Sequence, residues 1–231
     1  MDKEIKKAID SRLERAYGPT ETWERSQLEE VSALSVYHAR DLRGLSLCPN
    51  VKILLLVGCE ISSLSDIDGL DSLTSLVVED STLKSLEGVQ RWDIFSLRVK
   101  RNLIEELTPL TELPSLQLVD VTGNPISSRS QENVIPKLTA RGIDVMSSLE
   151  RERAITLRLH AFGLPFSYYR TSAGCRLGRP GLVFSNEPES GHPFIEPDEM
   201  DAILSGPVKS VHESVHGLFA RKDLMWPANE R

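Results

Sequence analysis

Residues 54–61 read Leu-Leu-Leu-Val-Gly-Cys-Glu-Ile, and the phrase returns three times. Residues 76–83 are Leu-Val-Val-Glu-Asp-Ser-Thr-Leu, residues 97–104 are Leu-Arg-Val-Lys-Arg-Asn-Leu-Ile, and residues 119–126 are Val-Asp-Val-Thr-Gly-Asn-Pro-Ile. The steps between copies are 22, 21 and 22 residues. The first, third and eighth positions are apolar in every copy. The sixth is Cys59, Ser81, Asn102 and Asn124. Apolar residues then recur at every third position: Leu64, Ile67, Leu70 and Leu73, then Leu86 and Val89, then Leu107, Leu110 and Leu113. A weaker first copy starts at Leu34-x-Val36 and resumes at Leu42 and Leu45. A fixed period of this length marks a repeat architecture.

Each part of the phrase has a physical task. The L-x-L segment predicts a short strand with alternate side chains inward. The Asn position falls where the chain leaves the strand, and an inward amide there bonds backbone groups that burial would otherwise leave unpaired. Cys59 and Ser81 are small substitutes for it. Three-residue spacing suits a 3₁₀-like return segment with one apolar side chain inward per turn. One coil cannot bury its apolar side alone, so the coils must stack. Residues 31–146 therefore read as a leucine-rich-repeat solenoid with short parallel strands, an α/β arrangement, and Leu97 and Asn102 are expected inside it.

The flanks read as caps, which such stacks require at both ends. Residues 1–30 form a helical N-terminal cap. In it Asp2–Ala16 places Ile5, Ile9, Leu13 and Ala16 on one face, Gly18-Pro19 stops the helix, and Ser26-x-x-Glu29 has the spacing of a capping box. At the other end Gln131–Ala140 reads as a helix and Ile143–Val145 as a last short strand. The 22-residue phrase, with the closing segment LTELPSLQLVDVTGNPISSRSQENVIPKLTARGIDV, resembles the bacterial internalin-like leucine-rich-repeat proteins over about residues 26–146. The resemblance implies a curved parallel-stranded solenoid that binds protein on its concave face, and it implies no reaction.

The side chains between the inward positions would project onto that face. One column is Leu55, Val77, Arg98 and Asp120, and the next is Val57, Glu79, Lys100 and Thr122, with Asp80 and Arg101 at the strand ends. Apolar residues beside opposite charges suit a specific protein contact. The candidate partner-binding residues are thus Leu55, Val57, Val77, Glu79, Asp80, Arg98, Lys100, Arg101 and Asp120. The bland alternatives are solvent-facing strand residues, or cover from the protein's own tail.

Residues 147–231 carry no repeat and read as a small α+β unit. A helix runs from Ser147-x-x-Glu150 to Phe162, and strands are expected at Phe166–Arg170 and Leu182–Ser185, with the turn-rich TSAGCRLGRPG between them. Helices follow from Pro197 to Leu204 and over Val208–Arg221. Within the last lies His212-Glu213-Ser214-Val215-His216, which matches the H-E-x-x-H of zinc peptidases. Only 15 residues follow His216, and their carboxylates are Asp223 and Glu230, so a third ligand has little room. The simpler reading is an apolar stripe of Val208, Val211, Val215, Leu218 and Phe219 with the histidines at its border. A zinc-dependent hydrolase built on His212, Glu213 and His216 is the alternative to a non-enzymatic, cofactor-free reading. His192 reads as a turn residue.

The 231 residues carry a net charge of −7. Residues 1–146 hold 23 acids against 17 bases, and the remainder 11 against 10. An acidic surface repels phosphate backbones, so nucleic acid is not the expected partner. Met1–Gly18 is charged throughout and reads as no signal peptide, and Ile53–Val57 is far too short to span a bilayer. Cys48, Cys59 and Cys175 lack metal-ligand spacing and fit free thiols in a cytoplasm. Together these features point to a cytosolic bacterial adaptor or inhibitor, an immunity protein that neutralises a toxin among the forms it could take.

Overall fold

The computed structural model describes residues 1–181 and 186–227. Six parallel strands form one sheet in chain order: β1 (Ala33–Tyr37), β2 (Ile53–Val57), β3 (Ser75–Glu79), β4 (Ser96–Arg98), β5 (Leu118–Asp120) and β6 (Asp144–Met146). Their register stacks the repeat phrase on itself, Leu34 beside Leu54, Leu76, Leu97 and Val119. Short 3₁₀ segments return the chain at Leu45–Leu47, Leu64–Asp66, Val89–Arg91 and Thr108–Glu112. The leucines spaced by three lie inside, and Leu97 is fully buried. One continuous apolar core runs from Ile5 to Ile143. The fold is a leucine-rich-repeat solenoid.

The sixth position of the phrase builds an inward ladder. The Asn102 amide donates to the carbonyls of Val78, Val99 and Lys100 at 2.8, 3.1 and 3.0 Å, and its oxygen accepts from Leu83 N at 3.3 Å. Asn124 repeats the pattern one coil later, donating to Val99 and Val121 and accepting from Ile104 N. Ser81 takes the Cys59 amide at 3.0 Å, and the Cys59 thiol reaches the Val57 carbonyl at 3.5 Å. Burial pushes the Cys48 and Cys59 thiols up to about 11, so neither is a thiolate at neutral pH.

The caps differ in detail from expectation. Helix α1 (Lys3–Tyr17) starts from Asp2, which accepts from Glu4 N, and buries Ile5, Ile9 and Leu13. The capping box of α2 (Arg25–Glu29) joins Glu24 and Gln27, not Ser26 and Glu29, because the helix begins two residues before the position Ser26 would cap. At the far end a wide π-type turn, Ser130–Val134, precedes α3 (Ile135–Ala140). Pro136 removes one amide donor at that junction.

The tail has a second apolar core, from Ile155 to Leu224. It comprises α4 (Glu150–Ala161), an antiparallel hairpin of β7 (Ser167–Thr171) and β8 (Gly174–Gly178), α5 (Pro197–Ile203) and α6 (Val208–Leu218). The turn-rich segment thus supplies a strand. Ser172-Ala173 makes the hairpin turn early, and Cys175 and Leu177 then face the core. The strand expected at Leu182–Ser185 lies outside the described residues. Helix α4 has no side-chain cap from Ser147. Ser148 instead accepts the Gly123 amide at 2.9 Å, tying the tail to the last repeat.

Candidate functional site

Parallel register fixes which side chains share the concave face. The central column is Ser35, Leu55, Val77, Arg98, Asp120 and Met146. Beside it run Ala33, Ile53, Ser75, Ser96, Leu118 and Asp144. On the other side Tyr37, Val57 and Glu79 are in register, and the backbone continues to Lys100 through Asp80 N to Lys100 O at 3.2 Å. Ile53 is 50% exposed, Leu55 and Val77 are half-buried, and Arg98 is exposed. Arg98 has no hydrogen-bonding or ionic partner among the described residues, whereas Lys100 pairs with Glu79 at 3.2 Å.

Four of the expected partner-facing residues are turned to another purpose. Val57 and Asp120 are each only 7% exposed, and Asp80 and Arg101 are buried. Asp120 accepts the Thr122 amide at 3.0 Å. Val57 lines a cavity of about 470 Å³ together with Glu79, Arg101 and the tail segment 186–190. Cover by the tail, one of the bland alternatives, therefore applies to the C-terminal ends of β2–β4; the half-buried Leu55 borders the same cavity, and Ile53, Val77 and Arg98 lie outside its lining.

The cause lies at the fifth position of the phrase. His38, Gly58, Asp80, Arg101 and Gly123 all turn the chain out of its strand with positive φ, 60°, 62°, 50°, 54° and 76°. This left-handed region suits glycine and is uncommon for other residues. Asp80 and Arg101 accept it and send their side chains towards the tail. Arg101 grips Asp80 with two hydrogen bonds, at 2.9 and 2.8 Å, and reaches Glu79 at 3.2 Å and the tail's Glu189 at 2.9 Å. Its guanidinium lies 4.9 Å above the Tyr169 ring. Burial opposes that charge, but Asp80 outweighs it, and the guanidinium stays protonated with its pKa raised. At Gly123 a Cβ would meet Arg101 Cγ at 2.9 Å, so glycine there gives the arginine its path.

His192 completes this junction. Its Nδ1 is 2.8 Å from the Tyr169 hydroxyl and its Nε2 is 3.7 Å from Asp80. Burial pushes the Tyr169 hydroxyl up, so it keeps its proton at neutral pH. Burial also depresses the imidazole to about 4, against the opposing charge of Asp80. The tail's Gly181 N donates to Asp80 O at 2.9 Å, and Asn186 Oδ1 lies 3.0 Å from His38 Nε2. His192 is thus a junction residue, not only part of a turn. Tyr169 and Glu189 were not singled out from sequence, and His192 was read only as a turn residue. The one available signal was the replacement of Gly58 and Gly123 by Asp80 and Arg101 at the same repeat position.

The H-E-x-x-H residues do not converge. His212 Nε2 is 2.6 Å from the Phe162 carbonyl, which fixes that nitrogen as the N–H donor. His216 is exposed and meets Phe166 edge-on at 5.5 Å, and Glu213 lies 3.9 Å from Lys209. Val211, Val215 and Leu218 are buried as the apolar stripe requires, while Val208 is exposed. Among the described residues no three His, Cys, Asp or Glu side chains are grouped to hold a metal ion. None of their helices is long and apolar enough to cross a membrane.

In-register parallel strands, 3₁₀ returns and an inward asparagine ladder define a leucine-rich-repeat protein, with an α+β tail clamped along the turns that leave the strands. Two of its structural neighbours are internalins of Listeria monocytogenes. Internalin InlF shares 16% identity and a TM-score of 0.49 over 68% of this chain and 53% of its own, so this chain spans about half the length of that protein. Internalin C2 shares 18% identity and a TM-score of 0.44 over 68% of this chain and 80% of its own. No family model matches the chain, and no curated protein does.

Proposed function

We propose that this chain is a non-catalytic binding protein that holds a protein partner on the open part of its concave sheet. The observation that carries the reading is the strip of Ile53, Leu55 and Val77, exposed or half-buried on the sheet, beside Arg98, which has no ionic partner among the described residues. Arginine is among the residue types that dominate interface energetics, and apolar neighbours exclude water from such a contact. The strands need no rearrangement to present them, so little ordering entropy opposes binding. A preformed surface of this kind suits an inhibitor or adaptor, and an immunity protein neutralising a toxin is the finer form of the reading. The three free, buried thiols fit a reducing cytoplasm as its setting.

The test is capture of the partner from native lysate by wild type and by the Ile53→Asp, Leu55→Asp double variant. Because Ile53 and Leu55 lie outside the buried core, the melting temperature should hold while capture falls at least tenfold. Undiminished capture by the double variant rejects the concave face as the site. For the finer form, co-expression with a toxin encoded beside this chain should restore growth, and the same double variant should not.

A further inference from the structure

The concave reading leaves open what the partner's surface carries, and the placement of charge addresses this. The chain as a whole is acidic, at −7. The open trough is not. Helix α1 flanks β1, and its Arg12 and Arg15 line a cavity of about 470 Å³ with Ala33, Ser35 and Tyr37. Both arginines are exposed, and neither has an ionic partner among the described residues. Arg98, likewise without an ionic partner among the described residues, stands on the far side of the apolar strip.

Three carboxylates of the flanking helix and the sheet are already engaged. Glu4 lies 3.8 Å from both Lys3 and Lys7. Glu79 is held by Lys100 and Arg101, each at 3.2 Å. Asp120, in register with Arg98, is buried and accepts the Thr122 amide. Much of the solenoid's negative charge lies elsewhere: Glu87, Glu105, Glu106 and Glu112 line a separate groove built on the return segments. Arginines without an ionic partner among the described residues thus stand at the two ends of one apolar strip, and an acid-flanked apolar segment is the ligand complementary to it.

We propose, resting on the concave reading, that the trough takes an extended acidic segment of the partner protein. Its apolar side chains would sit on Ile53, Leu55 and Val77, and its carboxylates would reach Arg12 and Arg15 at one end and Arg98 at the other. The span from β1 to β4 is about 15 Å at the usual strand spacing, which about five extended residues cover. Arginine in a partly desolvated trough pairs with carboxylates through two parallel hydrogen bonds, which gives direction as well as attraction.

The experiment uses the intact chain and three fluorescent pools of eight-residue peptides. All share two central leucines separated by one residue, and the flanking positions are glutamate, lysine or serine. Fluorescence polarisation should show the glutamate pool binding at least tenfold more tightly than the lysine pool, with affinity falling as salt rises. Arg98→Glu and the Arg12→Glu, Arg15→Glu pair should each reduce glutamate-pool binding at least fivefold without moving the melting temperature. Equal or tighter binding of the lysine or serine pool, abolished by Leu55→Asp, overturns the acidic assignment and leaves the concave reading standing. If no pool binds, the proposal of a linear acidic segment fails, and the concave reading is judged separately by the capture experiment.

Discussion

Asn102 and Arg101 are neighbours in the chain and both are buried, yet they are held in different ways. Asn102 is held by backbone. Its four hydrogen bonds go to main-chain groups of its own and the preceding coil, and Asn124 repeats the arrangement one coil on. Arg101 is held by charges and a ring: Asp80 and Glu79 from the preceding coil, Glu189 and Tyr169 from the tail. The first device can be copied along a solenoid because every coil presents the same carbonyls. The second exists once, because the tail passes there once. A residue position next to the ladder has thus been converted from a simple turn into a clamp between two parts of the molecule.

The largest expected effect breaks the clamp. Arg101→Met removes the cation and leaves Asp80 buried without compensation, which should cost about 3–5 kcal/mol of stability in denaturant unfolding. A loss under about 1 kcal/mol would show that the junction opens to water and that the two devices are not distinct in the way described. Solution acidity probes the same clamp less severely. The imidazole of His192 titrates near 4 in the fold, below its ordinary 6.5, because burial disfavours its charge. Between those values the unfolded chain binds a proton that the folded chain does not. Stability is therefore full above about 6.5 and falls as pH drops towards 4, by about 3 kcal/mol in total for this group. Denaturant midpoints measured across that window should decline, and the decline should be shallower in His192→Gln; identical slopes would remove His192 from the account.

The smallest effect belongs to the ladder. Asn102→Ala leaves carbonyls of Val78, Val99 and Lys100 and the amide of Leu83 without the bonds that Asn102 makes. The expected cost is about 1–3 kcal/mol, with the tail still docked. If Asn102→Ala instead exposes the tail to limited proteolysis as Arg101→Met should, the ladder and the clamp are one cooperative unit.

The fold of the repeats could be read because their contacts are between neighbours. Leu54, Leu76, Leu97 and Val119 must stack, and stacking forces the period that the eye finds in the chain. The concave columns follow from the same register, so Leu55, Val77 and Arg98 were placed correctly on one face. The tail offered less. Its hairpin was half missed because Gly174 and Gly178 look like turn residues when their partners are unknown. The fate of Val57, Asp80, Arg101 and Asp120 could not be read from periodicity, which says which way a side chain points and not what stands over it.

By itself the sequence determined the coil length, the strand phase, the inward leucines and the asparagine ladder, because each is a local consequence of burying one apolar edge per turn. Tertiary structure alone decided that Arg101 meets Glu189 and Tyr169, and that His38 meets Asn186. Those contacts join residues far apart in the chain and occur once each, so no period records them; they exist only when two separately built cores come together along the turns that leave the strands.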